Sequence, residues 1–206
     1  RAETLKATCT FMVASVLFAS ACVSDRSTPP RPTLSWIVQA SGTNANLRGV
    51  SAVDDRTVWA SGSKGTVLRT LDGGSTWTIL PIPGEDTTDF RDVEAFGPEE
   101  AIVMGIDRPA KIFRTTDGGK SWTRTFADDS PGIFLDGMAF FDAKNGLAVG
   151  DPMDGRFFLI STTDGGTYWA PFPAESRPAA LGGEAAFAAS GQPAECASAR
   201  FGAGSA

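Results

Sequence analysis

The sequence predicts an all-β protein, a β-propeller of four-stranded blades, and three observations lead to that prediction. A segment of eight residues that ends in Trp occurs three times, and its aspartates Asp72, Asp117 and Asp164 are 45 and 47 residues apart. Repeats of about 40–50 residues are typical of propeller blades, each of which is a four-stranded sheet. Short apolar runs rich in β-branched and aromatic residues precede each copy, and such runs favour strands. The 23 Gly and 13 Pro residues indicate frequent turns.

Each repeat contains the same strand-like segments in the same order. The first strand-like segment, residues 47–53, aligns with residues 90–96 and 134–140. In this alignment Asp92 and Asp136 are equivalent, and Leu135 breaks the arginine series that Arg48 and Arg91 begin. The second segment of each unit is a nearly continuous apolar run, which is typical of strands buried on both faces. We therefore expect the second strands to lie between neighbouring blades.

The eight-residue segments, 70–77, 115–122 and 162–169, have the features of a tight turn. Asp accepts hydrogen bonds from its own downstream backbone, and the two Gly residues tolerate positive φ. A Ser or Thr hydroxyl then bonds across the turn, except in the third copy, where Tyr168 predicts a looser turn. A calcium site needs six or more oxygen ligands, so we expect structural turns and no metal. The structural residues are Asp72, Gly73, Gly74, Trp77, Asp117, Gly118, Gly119, Trp122, Asp164, Gly165, Gly166 and Trp169.

Composition excludes several functions. The 206 residues contain no His, so neither a Ser-His-Asp triad nor a His-ligated zinc site can form. The three Cys residues are scattered and too few for a four-thiolate zinc site. A net charge of −6 argues against nucleic acid as a partner. No Gly-x-Gly-x-x-Gly fingerprint and no CxxC pair are present, so we expect no cofactor.

The first 22 residues have the features of an export signal. Residues 11–21 are apolar or small, a run too short to span a bilayer, and small residues precede Cys22. A small-residue run that ends in Cys resembles a bacterial lipobox, which predicts lipidation of Cys22 and a periplasmic or cell-surface location. A plain cleaved signal and an uncleaved anchor are the alternatives. Residues 23–33 are polar and rich in Pro, as expected of a tether.

The repeat pattern weakens toward the end of the sequence. Residues 34–190 are expected to form the blades, and a fourth unit begins near Ala180. Residues 191–206 contain neither an Asp-Gly-Gly turn nor a Trp. We therefore expect an N-terminal part of about three and a half blades, followed by a degenerate or truncated tail.

The eight-residue segments resemble the Asp-box (BNR) repeat, over roughly residues 36–172. Within that class, residues 46–50 followed by 59–65 resemble the photosystem II assembly/stability factor group and its bacterial relatives. This resemblance implies a seven-bladed ring that acts as a scaffold or assembly factor, with a protein partner in or on the envelope membrane. The same repeat occurs in sialidases and other glycoside hydrolases, so a glycan-binding or glycan-hydrolysing propeller is the alternative. An oxidoreductase is a minor alternative.

Two sets of side chains are candidates for binding, and no catalytic residue is assigned. The basic patches of the resembled assembly factors make the two repeated arginines the first choice for contact with a partner. Two acidic candidates, Asp92 and Asp136, lie at the start of inner strands, where they would line a central funnel or act on a glycan. The other two, Asp151 and Asp154, lie in the loop 150–155. Alternatively, the arginines pair with Asp92, Asp136 or carbonyls between blades, and the acidic candidates are solvated carboxylates of loops and turns. The candidates are Arg48, Arg91, Asp92, Asp136, Asp151 and Asp154.

Overall fold

The computed structural model describes residues 35–106 and 108–187. The chain divides into two units. The first is residues 1–37, of which 35–37 are described and contain no strand, and the second is residues 38–206. Export, tether and tail predictions for residues 1–33 and 191–206 lie outside the described residues. Among the described residues, no helix is long and apolar enough to cross a membrane.

Within residues 35–106 and 108–187, twelve strands form three four-stranded antiparallel sheets, each in simple sequence order, so the all-β blade prediction is confirmed. Blade 1 contains β1 (Leu47–Ala52), β2 (Val58–Gly62), β3 (Thr66–Thr70) and β4 (Thr78–Ile79). Blade 2 contains β5 (Phe90–Ala95), β6 (Ala101–Gly105), β7 (Ala110–Thr115) and β8 (Thr123–Asp128). Blade 3 contains β9 (Leu135–Phe140), β10 (Gly146–Met153), β11 (Arg156–Thr162) and β12 (Ala170–Pro171). A 3-10 turn, Ala174–Ser176, follows.

The first strand of each blade begins with a β-bulge, and the bulges fix which residues are equivalent. Gly62, Gly105 and Gly150 of the second strands pair with Leu47, Phe90 and Leu135 respectively. A β-bulge places two residues opposite one, so the residue after each of these partners is the extra one. The equivalent bulge residues are therefore Arg48, Arg91 and Asp136.

The equivalence of Asp92 and Asp136 expected from sequence is therefore wrong by one position. Asp92 is equivalent to Gly49 and Gly137, since it pairs with Met104 just inside the bulge. Likewise it is Asp136, not Leu135, that ends the arginine series. The cause is the apolar pair Phe134-Leu135, which allows two alignment frames, and the buried Leu135 selects the second one.

Two apolar clusters join the three blades. Trp59, Phe90 and Val103 belong to the cluster between blades 1 and 2. Ile102 and Met104 belong to the cluster between blades 2 and 3. Successive residues of β6 thus face opposite blades, and all five of its residues are buried. The prediction of a second strand buried on both faces is confirmed for β6.

The hairpins and the Asp turns lie at opposite ends of the blades. In blade 1, Lys64 and Gly65 both have positive φ, at 60° and 62°, and close the β2–β3 hairpin. Asp154 and Gly155 do the same for β10–β11, at 53° and 75°. Positive φ at both central residues is the geometry of the tight turn that matches strand twist. The inner strands start at this hairpin end, so Arg48 and its equivalents lie there.

Candidate binding surface at the hairpin end

The Asp turns are closed hydrogen-bonding units. Asp72 accepts from the hydroxyl of Thr70 and the backbone N–H of Thr76, each at 2.8 Å, and from the Thr76 hydroxyl at 2.6 Å. The Thr70 hydroxyl in turn accepts from the N–H of Gly74 at 2.8 Å. Asp117 accepts the equivalent bonds from Thr115 and Ser121, and the Thr115 hydroxyl accepts from the N–H of Gly119. Donors from Thr76 and Ser121 lower the pKa of Asp72 and of Asp117 to about 2.

The third turn lacks one of these bonds. Asp164 accepts from the backbone N–H of Tyr168 and of Thr167, at 3.0 Å each, but the Tyr side chain provides no hydroxyl to its second oxygen. The backbone bond from Tyr168 is the main cause that lowers the pKa of Asp164. Buried Thr162 still bonds Asp164 and Gly166, so the turn keeps its backbone geometry. The bonded threonine before each Asp was missed in the sequence, although it recurs in all three copies.

Two further arginines tie each blade to the next one. Arg69 of β3 lies with its guanidinium 5.2 Å from the Trp59 ring centroid and donates to the carbonyl of Pro98 in blade 2. Arg114 of β7 donates to the carbonyl of Gly165 in the third Asp turn at 2.9 Å. Ser161 occupies this position in blade 3. Arg69 and Arg114 are therefore inter-blade residues and not part of an exposed basic surface.

At the hairpin end, Arg48 and Arg91 share one carboxylate. The Nε atom of Arg48 lies 3.2 Å from one oxygen of Asp89, and the Nε atom of Arg91 lies 3.3 Å from the other. Arg48 belongs to blade 1 and Arg91 to blade 2, so Asp89 joins the two blades. The arginine side chains are 35% and 25% exposed, against 18% for Asp89. The alternative considered from the sequence paired these arginines with Asp92, Asp136 or carbonyls between blades, and it did not include Asp89.

The segment that contains Asp89 is held in place by its main chain. The carbonyl of Thr88 accepts from the N–H of Gly65 at 2.7 Å, and the carbonyl of Asp89 accepts from the N–H of Ile106 at 3.3 Å. The Thr88 hydroxyl donates to buried Glu85 at 2.5 Å. Lys111 pairs with the same Glu85 oxygen at 2.6 Å. Asp89 therefore lies on a loop fixed to both blade 1 and blade 2.

Asp92 is buried between blades 2 and 3. One of its oxygens accepts from the N–H of Val93 at 2.9 Å, and the other accepts from the N–H of Met138, in blade 3, at 2.8 Å. Burial raises the pKa of Asp92 to about 6, because removal from water disfavours the charged form more than these bonds favour it. Asp92 is only 8% exposed. It therefore links two inner strands and is not at the surface.

The other acidic candidates lie in blade 3. Asp136 is buried at the start of β9. Asp151 accepts a hydrogen bond from the N–H of Ala186 at 3.1 Å. This bond connects the segment that follows blade 3 to β10. Asp154 is exposed in the β10–β11 turn. In the described part of the chain, no three His, Cys, Asp or Glu side chains are grouped as metal ligands.

The comparisons with known proteins identify the family. The sequence model of the family "Photosynthesis system II assembly factor YCF48" matches residues 29–132, half of the 206 residues. The chain belongs to the YCF48 family. The matched segment contains Arg48, Asp89 and Arg91, together with the first two Asp turns.

Two curated relatives carry names of the same kind. The photosystem II assembly lipoprotein Ycf48 of Synechococcus sp. (strain CC9902) is 29% identical over 151 residues, which are 73% of this chain and 43% of that protein. The photosystem II stability/assembly factor HCF136, chloroplastic, of Arabidopsis thaliana is 36% identical over 66 residues, 31% of this chain and 16% of that protein. The chain thus spans less than half the length of these YCF48-family relatives.

A solved structure supports the fold. The structure of YCF48 bound to D1 peptide has a TM-score of 0.52 and 23% identity, and the match covers 68% of this chain and 45% of that one. Identity at this level supports the fold alone. The predicted propeller of Asp-box blades is confirmed for this YCF48-family chain.

Proposed function

We propose that this chain is part of a non-catalytic assembly factor that binds an acidic segment of a photosystem II protein. The single observation that carries the proposal is the pair Arg48 and Arg91, which belong to adjacent blades and share Asp89. Two guanidinium groups against one carboxylate leave the group with a net positive charge. Membership of the YCF48 family and the D1 peptide bound to one member support a peptide ligand.

The chemistry of the arginines fits such a ligand. Each Nε faces Asp89, and within the described residues the terminal nitrogens of both arginines have no hydrogen-bond partner. The planar guanidinium group presents paired N–H donors that match a carboxylate. Both side chains are partly exposed, so the donors remain accessible. An acidic peptide that crosses from blade 1 to blade 2 would meet both of them.

The double variant Arg48→Gln/Arg91→Gln is expected to weaken binding of D1 peptides by roughly 100-fold or more, since it removes two charge-assisted contacts of about 1.5–3 kcal/mol each. Gln keeps an N–H donor for Asp89, and the ion pairs are partly exposed to water, which reduces their contribution to stability. The melting temperature should therefore change little. Fluorescence anisotropy with overlapping labelled D1 peptides measures the affinity.

The matched control is Arg56→Gln/Arg124→Gln, which removes the same charge from two exposed arginines away from the hairpin end. This control should bind D1 peptides as the wild type does. Equal weakening in both double variants would mean that binding depends only on net charge. A large fall in the melting temperature of the first double variant alone would mean that Arg48 and Arg91 are structural.

We further propose that the protein is exported and held on a membrane by lipid at Cys22. The apolar run 11–21 before Cys22 supports this, as do two relatives that are named lipoproteins. Two or more acyl chains are enough for stable anchoring. The Cys22→Ser variant should move from the membrane fraction to the soluble exported fraction. Cys196→Ser is the control and should stay with the membrane; identical fractionation of both variants would contradict the anchor.

A further inference from the structure

We propose that Asp89 is a positioning residue for the arginine pair, and this inference rests on the proposed function. Asp89 lies in the loop between blades 1 and 2 and contacts one arginine from each blade. One carboxylate oxygen accepts a hydrogen bond from the Nε–H of Arg91, and the other oxygen forms an ion pair with the Nε of Arg48 at 3.2 Å. The terminal N–H groups of both arginines are thereby left for one anionic segment of the ligand.

The anchor itself is rigid. The carbonyls of Thr88 and Asp89 accept hydrogen bonds from Gly65 in blade 1 and Ile106 in blade 2. Buried Glu85 is fixed by Thr88 and by Lys111 at the start of β7. An anchor with a fixed backbone limits the rotamers of the side chains that it binds. Arginine loses side-chain entropy when it is ordered, and ordering it before the ligand arrives removes that cost from binding.

A positioning role and a simple charge role predict opposite effects of removing the Asp89 carboxylate. If the arginines acted only through net charge, loss of a nearby negative charge would strengthen binding of an anionic peptide. If Asp89 orders them, its loss releases two long flexible side chains and weakens binding despite the more favourable charge. The sign of the change in affinity therefore separates the two roles.

The test compares Asp89→Asn with Asp86→Asn, which makes the same charge change at an exposed position in the same loop. The probes are labelled D1 peptides and labelled hexaglutamate, with affinities measured by anisotropy at two salt concentrations. We expect Asp89→Asn to bind roughly tenfold more weakly than the wild type, from the lost ordering of two arginines. Asp86→Asn should bind equally or slightly more tightly. Asp89→Glu, which keeps the carboxylate, should recover part of the affinity.

The possible outcomes distinguish this inference from the proposed function. If Asp89→Asn binds as tightly as Asp86→Asn or more tightly, the positioning role is wrong while peptide binding stands. If the wild type binds hexaglutamate in an Asp89-dependent way but no D1 peptide, the positioning role stands and the proposed partner is wrong. If the wild type binds neither probe, both proposals fail.

Discussion

As the pH rises from about 4 to about 6, the free energy of unfolding of the wild-type protein should fall by about 2 kcal/mol because of one residue, Asp92. The pKa of Asp92 in the folded protein is raised from 3.8 to about 6 by burial. The folded state therefore holds this proton more tightly than the unfolded state does. The stabilisation is complete below pH 4 and is lost as the pH rises through 6.

The Asp turns act in the opposite direction and in a different range. The pKa values of Asp72 and Asp117 are lowered to about 2 by hydrogen bonds from Thr76 and Ser121. A lowered pKa stabilises the folded state above the unfolded value, and the effect is lost as the pH falls from about 4 to 2. The two ranges overlap near pH 4, because all three carboxyl groups share the same unfolded-state pKa, and above about pH 5 the change comes mainly from Asp92.

The Asp92→Asn variant should remove most of the pH dependence between pH 4 and pH 6. Asn does not titrate, and it has almost the same shape as Asp. Only one of its polar side-chain atoms accepts hydrogen bonds, so one of the bonds from Val93 and Met138 is lost at every pH. Urea unfolding curves at several pH values from 4 to 7 measure the free energy of unfolding for both proteins.

The matched control is Asp154→Asn, in the exposed hairpin turn of blade 3. Asn is well tolerated at positive φ, so this variant should keep both the stability and the pH dependence of the wild type. A pH dependence in Asp92→Asn equal to that of the wild type would show that another group titrates in this range. Loss of the pH dependence in both variants would show that it does not come from Asp92 alone.

Local features could be predicted from the sequence, and contacts between blades could not. The Asp turns depend on residues within six positions of one another, so their pattern is visible in each repeat. The bond from Met138 to Asp92 joins residues 46 apart, and no local pattern predicts it. The frame of the third inner strand was also misjudged, because a bulge lies beside two apolar residues there.

Asp89 illustrates why part of the candidate surface was missed. The sequence singled out Arg48 and Arg91 because they recur at one position of the repeat. Asp89 directly precedes β5, and the equivalent residues of the other two blades are Asn46 and Phe134, so the carboxylate does not recur and gives no periodic signal. Its importance depends on two arginines from different blades that meet only in the folded chain.

Truncation of Trp59 should give a larger loss of stability than any other variant considered for this chain. Trp59 is completely buried in β2 and belongs to the cluster between blades 1 and 2. Its Nε1–H donates to the carbonyl of Gly97 at 3.0 Å, and its ring packs edge-on against Trp122, with a centroid distance of 6.4 Å. Arg69 covers the ring as well. Trp59 thus contacts Gly97 and Trp122 of blade 2 and the side chain of Arg69, which itself bonds to blade 2.

The Trp59→Ala variant is expected to lose about 3–5 kcal/mol of stability, the usual cost of deleting a buried aromatic side chain and leaving a cavity. For a folded region of this size, the melting temperature should fall by roughly 10 °C. Thermal unfolding followed by near-UV circular dichroism measures the change. Trp59→Phe keeps most of the apolar volume and loses the bond to Gly97, so a smaller loss of about 1–2 kcal/mol is expected.

The control for Trp59 is another Trp of the same chain. Trp36 is 96% exposed, and replacement of an exposed side chain by Ala usually changes stability by less than about 0.5 kcal/mol. If Trp36→Ala and Trp59→Ala lose similar amounts of stability, the contact between blades 1 and 2 does not carry the energy assigned to it. If only Trp59→Ala is destabilised and D1 peptide binding falls with it, the inter-blade contact is what keeps Arg48 and Arg91 on either side of Asp89.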